Sequence, residues 1–390
     1  MYDVIIIGGG PSGMMVAANS EIKTLLIEKN SRLGKKLLLT GGGRCNLTNK
    51  KEKKDFLKNI NNSDFFKESL RLFDNKQLIN YFQKNKINLK CEGDKVFLKS
   101  NNAVELIDYF ENKIKNNNNV DLVLDSEVVD VSYDEKYIIK TNKDTFHSEK
   151  LVITTGGKSY PSTGSTGFGY KISKKLGHNV TSLYAGETSV YSKSFPSLSG
   201  QSVDVNVKFK NYSESGSMLF THYGLSGEPI LNISDKLDKS LKDGNKTIVC
   251  IDFLPNIKEE ELRDLIDENE KKKIEELIRG VIPKKILSEL IINIPNKRIA
   301  EISRKGRETI ISTFKSHEVE IASVGDIENA IVTSGGIDLS EVCPKTYESK
   351  KSQGLYYGGE VLDLHGKVGG FNLSIAFISG FLISKNLKKE

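Results

Sequence analysis

Residues 1–30 read MYDVIIIGGGPSGMMVAANSEIKTLLIEKN, and this stretch decides the fold. Val4–Ile7 is an unbroken apolar run, the mark of a parallel strand buried on both faces. Gly8, Gly10 and Gly13 follow in the order G-x-G-x-x-G, and Met14, Met15, Ala17 and Ala18 begin an apolar helix. A second apolar run, Leu25–Ile27, ends in Glu28, 20 positions after Gly8. Each part has a physical task in holding a dinucleotide. Gly8 permits the tight turn, Gly10 lets a pyrophosphate approach the backbone, and Gly13 lets helix and strand pack closely. The helix start, with Pro11 and Ser12, offers free N–H groups and the positive end of a dipole. Glu28 is placed to accept hydrogen bonds from a ribose 2′-OH. The motif alone leaves FAD and NAD both open, with a glycine-rich turn of some other α/β domain as the plain alternative.

A chain of 390 residues exceeds one compact core, so two or three structural units are expected. Hydrophobic residues make up 37% and charged residues 28%, which suits a globular protein in water. The longest apolar runs, near Leu287–Ile294 and Ser374–Ser384, fall short of the roughly 20 residues of a membrane span. No basic n-region or signal h-region precedes the first strand, so a cytoplasmic location is expected. Cys45, Cys91, Cys250 and Cys343 form no CxxC and no metal spacing, which argues against a disulfide framework, a thiol relay and a metal site. The net charge of +6 comes from scattered lysines and reads as a solvated surface.

Past Glu28 the sequence is SRLGKKLLLTGGGRCNLTN, residues 31–49. Gly41, Gly42 and Gly43 remove side chains where something flat must touch the backbone, and Arg44, Cys45 and Asn46 follow with polar or polarisable groups. The stretch Thr40–Asn49 resembles the signature of the BaiN-type flavoproteins, the aminoacetone oxidase-like family of FAD-binding oxidoreductases. FTHYGLSG (Phe220–Gly227) is similar to a second motif of that family, with Glu228 standing before Pro229 where the family usually has proline directly after the glycine. IENAIVTSGGI (Ile327–Ile337) and GLYYGGEVLDLHGKVGGFNLSIAFISG (Gly354–Gly380) resemble its closing motifs.

The resemblance implies a glutathione-reductase-like, Rossmann-like FAD-binding domain of the α/β class, carrying an inserted β-barrel-like unit and a helical unit. The FAD domain is expected at residues 1–186 plus 321–390, the antiparallel β insertion at 187–257 and the helical insertion at 258–320. It implies noncovalent FAD, with NAD(P)H as a transient donor. Besides the glycine turn, Glu28 and Lys29, the implied cofactor contacts are Lys36, Gly42, Gly43, Arg44 and Cys45. A strand over Asp121–Asp130 is expected to offer its backbone near Val129 to the adenine, and Thr155, Gly156 and Gly157 to lead a strand back to the cofactor. Near the C-terminus come Gly359, Glu360, Asp363, Gly369, Gly370, Asn372 and Leu373, the last four opening a helix toward the flavin. Cys45 as a redox thiol stands beside Cys45 as packing.

Three residues are candidates for chemistry: Arg44, His222 and Tyr160. The loops Lys158–Gly169 and Thr221–Gly227 are expected to wall a small-molecule substrate between FAD domain and insertion. Two other classes remain: a flavin-dependent tRNA-modifying protein and a noncatalytic flavin-binding regulator. Basic residues do not cluster with aromatics, and Lys258–Glu320 carries equal numbers of acidic and basic residues, which speaks against a nucleic-acid partner. Oligomeric state is not legible.

Overall fold

The computed structural model describes residues 1–387. The chain forms two compact units, residues 1–183 with 332–390, and residues 184–331.

The first unit is built on one mixed sheet. Strands Val120–Val123, Thr24–Ile27, Tyr2–Ile7 and Thr145–Ile153 lie side by side and parallel. Tyr2–Ile7 is central, and Val4, Ile5 and Ile6 are wholly buried, as an unbroken apolar run demands. Thr145–Ile153 divides its outer edge between two partners. Its first half runs antiparallel to Lys136–Thr141, and its second half runs parallel to Leu355–Tyr357. Val128–Asp134 completes the antiparallel ribbon.

One strand was expected over Asp121–Asp130, and two are found. The break at Leu124–Glu127 brings the chain to the end of the second strand, where Asp125 N donates to Asn30 O and Ser126 N to Glu28 O, both at 3.1 Å. The polar residues Asp125, Ser126 and Glu127 interrupt the apolar run where these hydrogen bonds form.

Two helices pack together in this unit, the start of the first against the second half of the other. Pro11–Ala18 and Phe371–Asn386 are apolar all round and pack together, so closely that a Cβ on Gly380 would stand 2.4 Å from Ser12 O. Helix Ala103–Lys115 also packs against Pro11–Ala18. A small second sheet joins Asn46–Asn49 to the hairpin Leu89–Glu92/Lys95–Leu98, which turns at Gly93 with φ +60°.

The second unit is a seven-stranded antiparallel sheet with helices. The run His317–Val324 pairs at its start with Ile248–Asp252 and at its end with Val190–Tyr191, so it touches both edges and closes the sheet in barrel-like fashion. Helix Glu228–Lys242 packs on four of the strands, and one apolar core runs through the sheet and the helices of 259–315. Among the described residues, no helix is long and apolar enough to cross a membrane, and no cluster of His, Cys, Asp or Glu is fit to hold a metal.

Candidate cofactor and active site

The three glycines of the first turn differ in what surrounds them. Gly8 has φ +103°, and a Cβ there would lie 2.6 Å from Thr154 O. A Cβ on Gly13 would lie 2.0 Å from Gly8 O, so this position is closed by helix–strand contact. A Cβ on Gly10 would meet nothing within 4 Å. The open position is thus the one where a phosphate must approach. Helix Pro11–Ala18 has no side-chain cap and no acid in its first turn, so its leading N–H groups lack a side-chain acceptor.

Glu28 is buried at the tip of the second strand. Its Oε2 accepts from Gly9 N at 2.7 Å; its Oε1 accepts from Asn30 N at 2.8 Å and Asn30 Nδ2 at 2.6 Å. A carboxylate has about four lone-pair sites, so one remains for a ribose hydroxyl. Lys29 forms a 3.8 Å ion pair with Glu127. Thr154 Oγ1 ties the first strand to this turn through Ile7 O and Gly8 O. Thr155 Oγ1, one residue on, is buried without a partner, as is Arg32 Nε in the turn after Glu28. Two orphaned polar atoms, an open cradle and an uncapped helix start fit a bound FAD.

The glycine-rich loop after Thr155 spans more of this region than a flavin-side loop would. Asn30 Nδ2 donates to Thr163 O, and Gly164 lies against Lys29 and Asn30, so the loop reaches the ribose-binding acid. At its other end, a Cβ on Gly157 would meet Thr333 Oγ1 at 2.4 Å and Glu360 Oε1 at 2.9 Å. Gly156 has φ +72°. Glu360 forms a double hydrogen bond with Lys36 Nζ at 2.9 and 3.1 Å and accepts from Thr333 N at 3.0 Å. Tyr160 holds φ +54°, with Lys36 Nζ 6.0 Å from its ring centre. Lys36, Glu360 and Tyr160 therefore form one cluster, drawn from three distant parts of the sequence.

Gly359 lies over the first helix, its N–H donating to Ser379 Oγ at 3.0 Å. Asp363 accepts from Thr181 Oγ1 at 3.1 Å and Asn61 Nδ2 at 3.5 Å. Asn372 turns its amide back onto Gly366, accepting from its N–H and donating to its carbonyl. Gly369, with φ +140°, and Gly370, with φ +90°, precede the terminal helix; Leu373 is partly buried against the core. Val129 is half exposed at a bulge, while Asp125 and Ser126 are what approach the Glu28 turn.

Gly42 and Gly43 take φ +66° and +85°, and a Cβ on Gly42 would meet nothing within 4 Å. Arg44 stacks over Phe97 at 4.5 Å and binds both oxygens of Glu92. Lys90 and Arg44 hold the Glu92 carboxyl below its ordinary range. Cys45 is wholly buried, and burial pushes its thiol up to about 12. Burial that keeps the thiol protonated favours packing over a redox role for Cys45. His222 is exposed in the second unit, edge-on to Tyr223 at 4.6 Å. Arg44 and Tyr160 belong to the first unit.

Sequence reading missed Arg32, Asn30 and Thr333. Arg32 carried a signal, a basic residue in the turn after the ribose acid. Thr333 carried none, because its partners lie far away in sequence.

Residues 2–386 match the HI0933-like protein Rossmann domain. This chain belongs to the HI0933-like family of FAD-binding Rossmann proteins. This chain has relatives that it matches over nearly their whole length. It is 27% identical over 416 residues to a 3-dehydro-bile acid Δ4,6-reductase of Clostridium scindens, covering 99% of this chain and 98% of the relative. It is 31% identical over 401 residues to a ribosomal RNA dihydrouridine synthase of Escherichia coli, with the same coverage. A Haemophilus influenzae protein of that second name is 29% identical, again with 99% and 98% covered. Among solved structures, a 3-ketosteroid-Δ4-(5α)-dehydrogenase of Rhodococcus jostii superposes with TM-score 0.53 at 11% identity, covering 100% of this chain and 97% of that one. An Escherichia coli quinol fumarate reductase gives 0.52 at 12%, covering 99% and 69%. These two likenesses show the fold alone. By family, this chain is an FAD-dependent oxidoreductase.

Proposed function

We propose that this protein uses FAD to reduce a carbon–carbon double bond conjugated to a carbonyl, drawing electrons from NADH or NADPH. The observation that carries this reading is the pair of names borne by its full-length relatives. A Δ4,6-reductase of a 3-dehydro-bile acid and a dihydrouridine synthase both saturate a ring double bond that lies beside a carbonyl. FAD, when bound, supplies hydride transfer; the protein supplies position and electrostatics. Glu28 would hold the ribose, and the start of Pro11–Ala18 with Arg32 the pyrophosphate. Lys36 and Glu360 would stand beside the ribityl region. Saturation needs one proton for each hydride, and Tyr160 and His222, one in each unit, are the candidate acids. Arg44 suits a carbonyl or carboxylate instead, since its guanidinium does not release a proton.

The first substrate reading is a small cyclic enone. A second, uridine in ribosomal RNA, is favoured by the two relatives of that name and by charge. Residues 184–331 hold 21 basic and 24 acidic residues; the remainder holds 36 and 27, a net +9 suited to a polyanion.

Anaerobic titration with NADH and NADPH, followed at the flavin absorbance, tests the donor. Reoxidation of the reduced protein by a 3-oxo-Δ4 steroid, or by ribosomal RNA lacking dihydrouridine, then tests the acceptor. The proposal expects reduction by one nicotinamide and reoxidation by one of these acceptors. A flavin that neither nicotinamide reduces would leave the noncatalytic regulator in its place.

A further inference from the structure

The strand Asn46–Asn49 follows the glycine loop, and it presents its polar groups to the start of the terminal helix. Asn49 is buried, and its Nδ2 donates to Gly369 O at 3.1 Å. Asn46, with its amide turned to suit its neighbours, accepts from Gly370 N at 3.0 Å and donates to Thr48 O at 3.3 Å. Thr48 Oγ1 pairs with Ser374 Oγ at 2.6 Å. A Cβ on Gly370 would stand 2.5 Å from Thr48 O, so the two backbones are in direct contact. The strand is itself held from behind: fully buried Asn75 donates through Nδ2 to Asn49 O at 2.7 Å and Lys51 O at 2.9 Å.

We infer that Asn46 and Asn49 are positioning residues for the flavin. They set the orientation of the Gly369–Gly370–Phe371 peptides, and hence of the first N–H groups of Phe371–Asn386, and through them stabilise the reduced cofactor. Several facts favour this over simple packing. The terminal helix has no side-chain cap, both glycines before it hold positive φ, and the single peptide that joins them is gripped on both sides, its carbonyl by Asn49 and its N–H by Asn46. Flexible glycines need such a grip to present fixed dipoles. Reduction places negative charge on the pyrimidine end of a flavin, and a helix start aimed there favours the reduced state. Neither asparagine touches the cofactor in this account. The inference rests on FAD occupying the fitted site, and on no substrate or donor.

The test is redox titration of the purified FAD-loaded protein with a reference dye, without substrate. Asn49→Ala and Asn46→Ala are each expected to keep FAD. Each should lower the equilibrium constant for two-electron reduction about tenfold, close to 30 mV for a two-electron couple. Asn49→Gln, which keeps a donor, should recover part of the shift. Thermal unfolding and FAD content are read alongside. If Asn49→Ala fails to fold, Asn46→Ala, altering a half-buried residue, carries the test alone. A change below twofold in folded, FAD-loaded variants overturns the inference. Loss of FAD from both folded variants overturns it as well, since the residues would then act by retention. A wild-type protein that holds no FAD would instead overturn the cofactor assignment, and failure of every acceptor would leave the potentials unaffected.

Discussion

Two helix starts lie in the unit that holds the FAD site, and they are built in opposite ways. Both Pro11–Ala18 and Phe371–Asn386 are apolar, uncapped and preceded by glycine. The first is held by its own neighbourhood: the glycine turn, the packing of Gly13 on Gly8, and Glu28 fixing Gly9 N from 19 residues away. The second is held by residues about 320 positions distant, Asn46, Thr48 and Asn49. Local geometry makes the first recognisable and robust. The second depends on a strand that must already be folded.

The largest expected effect separates closed from open positions within the first start. Gly13→Val places a side chain where a Cβ alone is 2.0 Å from a carbonyl, so a loss above about 3 kcal/mol or insoluble protein is expected. Gly10→Ala, with nothing within 4 Å, should unfold in urea within about 0.5 kcal/mol of wild type yet lose FAD on gel filtration. Equal destabilisation by both would erase the distinction between the positions.

Next comes Gly370→Ala at the second start. Its φ of +90° and the 2.5 Å approach to Thr48 O together should cost about 2 kcal/mol or more, read as a lowered urea midpoint. Wild-type stability would show that the strand yields, and that the distant grip is weak.

Glu28→Ala should leave the fold in place and weaken FAD retention by about 1.5–3 kcal/mol, the range for a charge-assisted hydrogen bond, or roughly 10- to 150-fold in Kd. Recovery of NAD or FMN in place of FAD from native protein would refute the cofactor.

The smallest effect concerns pH. Burial lowers the imidazoles of His178 and His317, one in each unit. His178 Nε2 pairs with Ser349 Oγ at 2.7 Å, and Glu341 and Lys351 act on it with opposite sign. A lowered folded pKa means the folded state resists protonation. The stability contribution is therefore full above the unfolded value of about 6.5 and falls away as pH drops from there toward the folded value. Melting temperature should decline as pH falls below about 6.5, and His178→Gln should flatten part of that decline. An unchanged slope would assign the whole effect elsewhere.

These contrasts show what was legible. Gly8, Gly10, Gly13 and Glu28 were read from sequence because their partners lie within one βαβ unit. The glycine opening of the terminal helix was also local and was found. The break at Leu124–Glu127 was not foreseen, since it exists to satisfy the carbonyls of Glu28 and Asn30. The return of His317–Val324 to both edges of the second sheet was equally hidden, because period-2 patterning marks strands but not their partners. At the candidate site, Lys36 with Glu360 was listed residue by residue, yet nothing local paired them across 324 positions.

The strand Thr145–Ile153 leaves half of one edge for Leu355–Tyr357, which enters the sheet from the far side of the sequence. During synthesis the earlier strands emerge long before that partner exists. The nascent domain must wait with an unpaired edge, and its cofactor cradle lacks one wall until the last tenth of the chain is made. The edge closes only once Leu355–Tyr357 has been made, and contacts of such span make assembly slow. Until then the open strand edge is the place where two nascent chains could pair with each other.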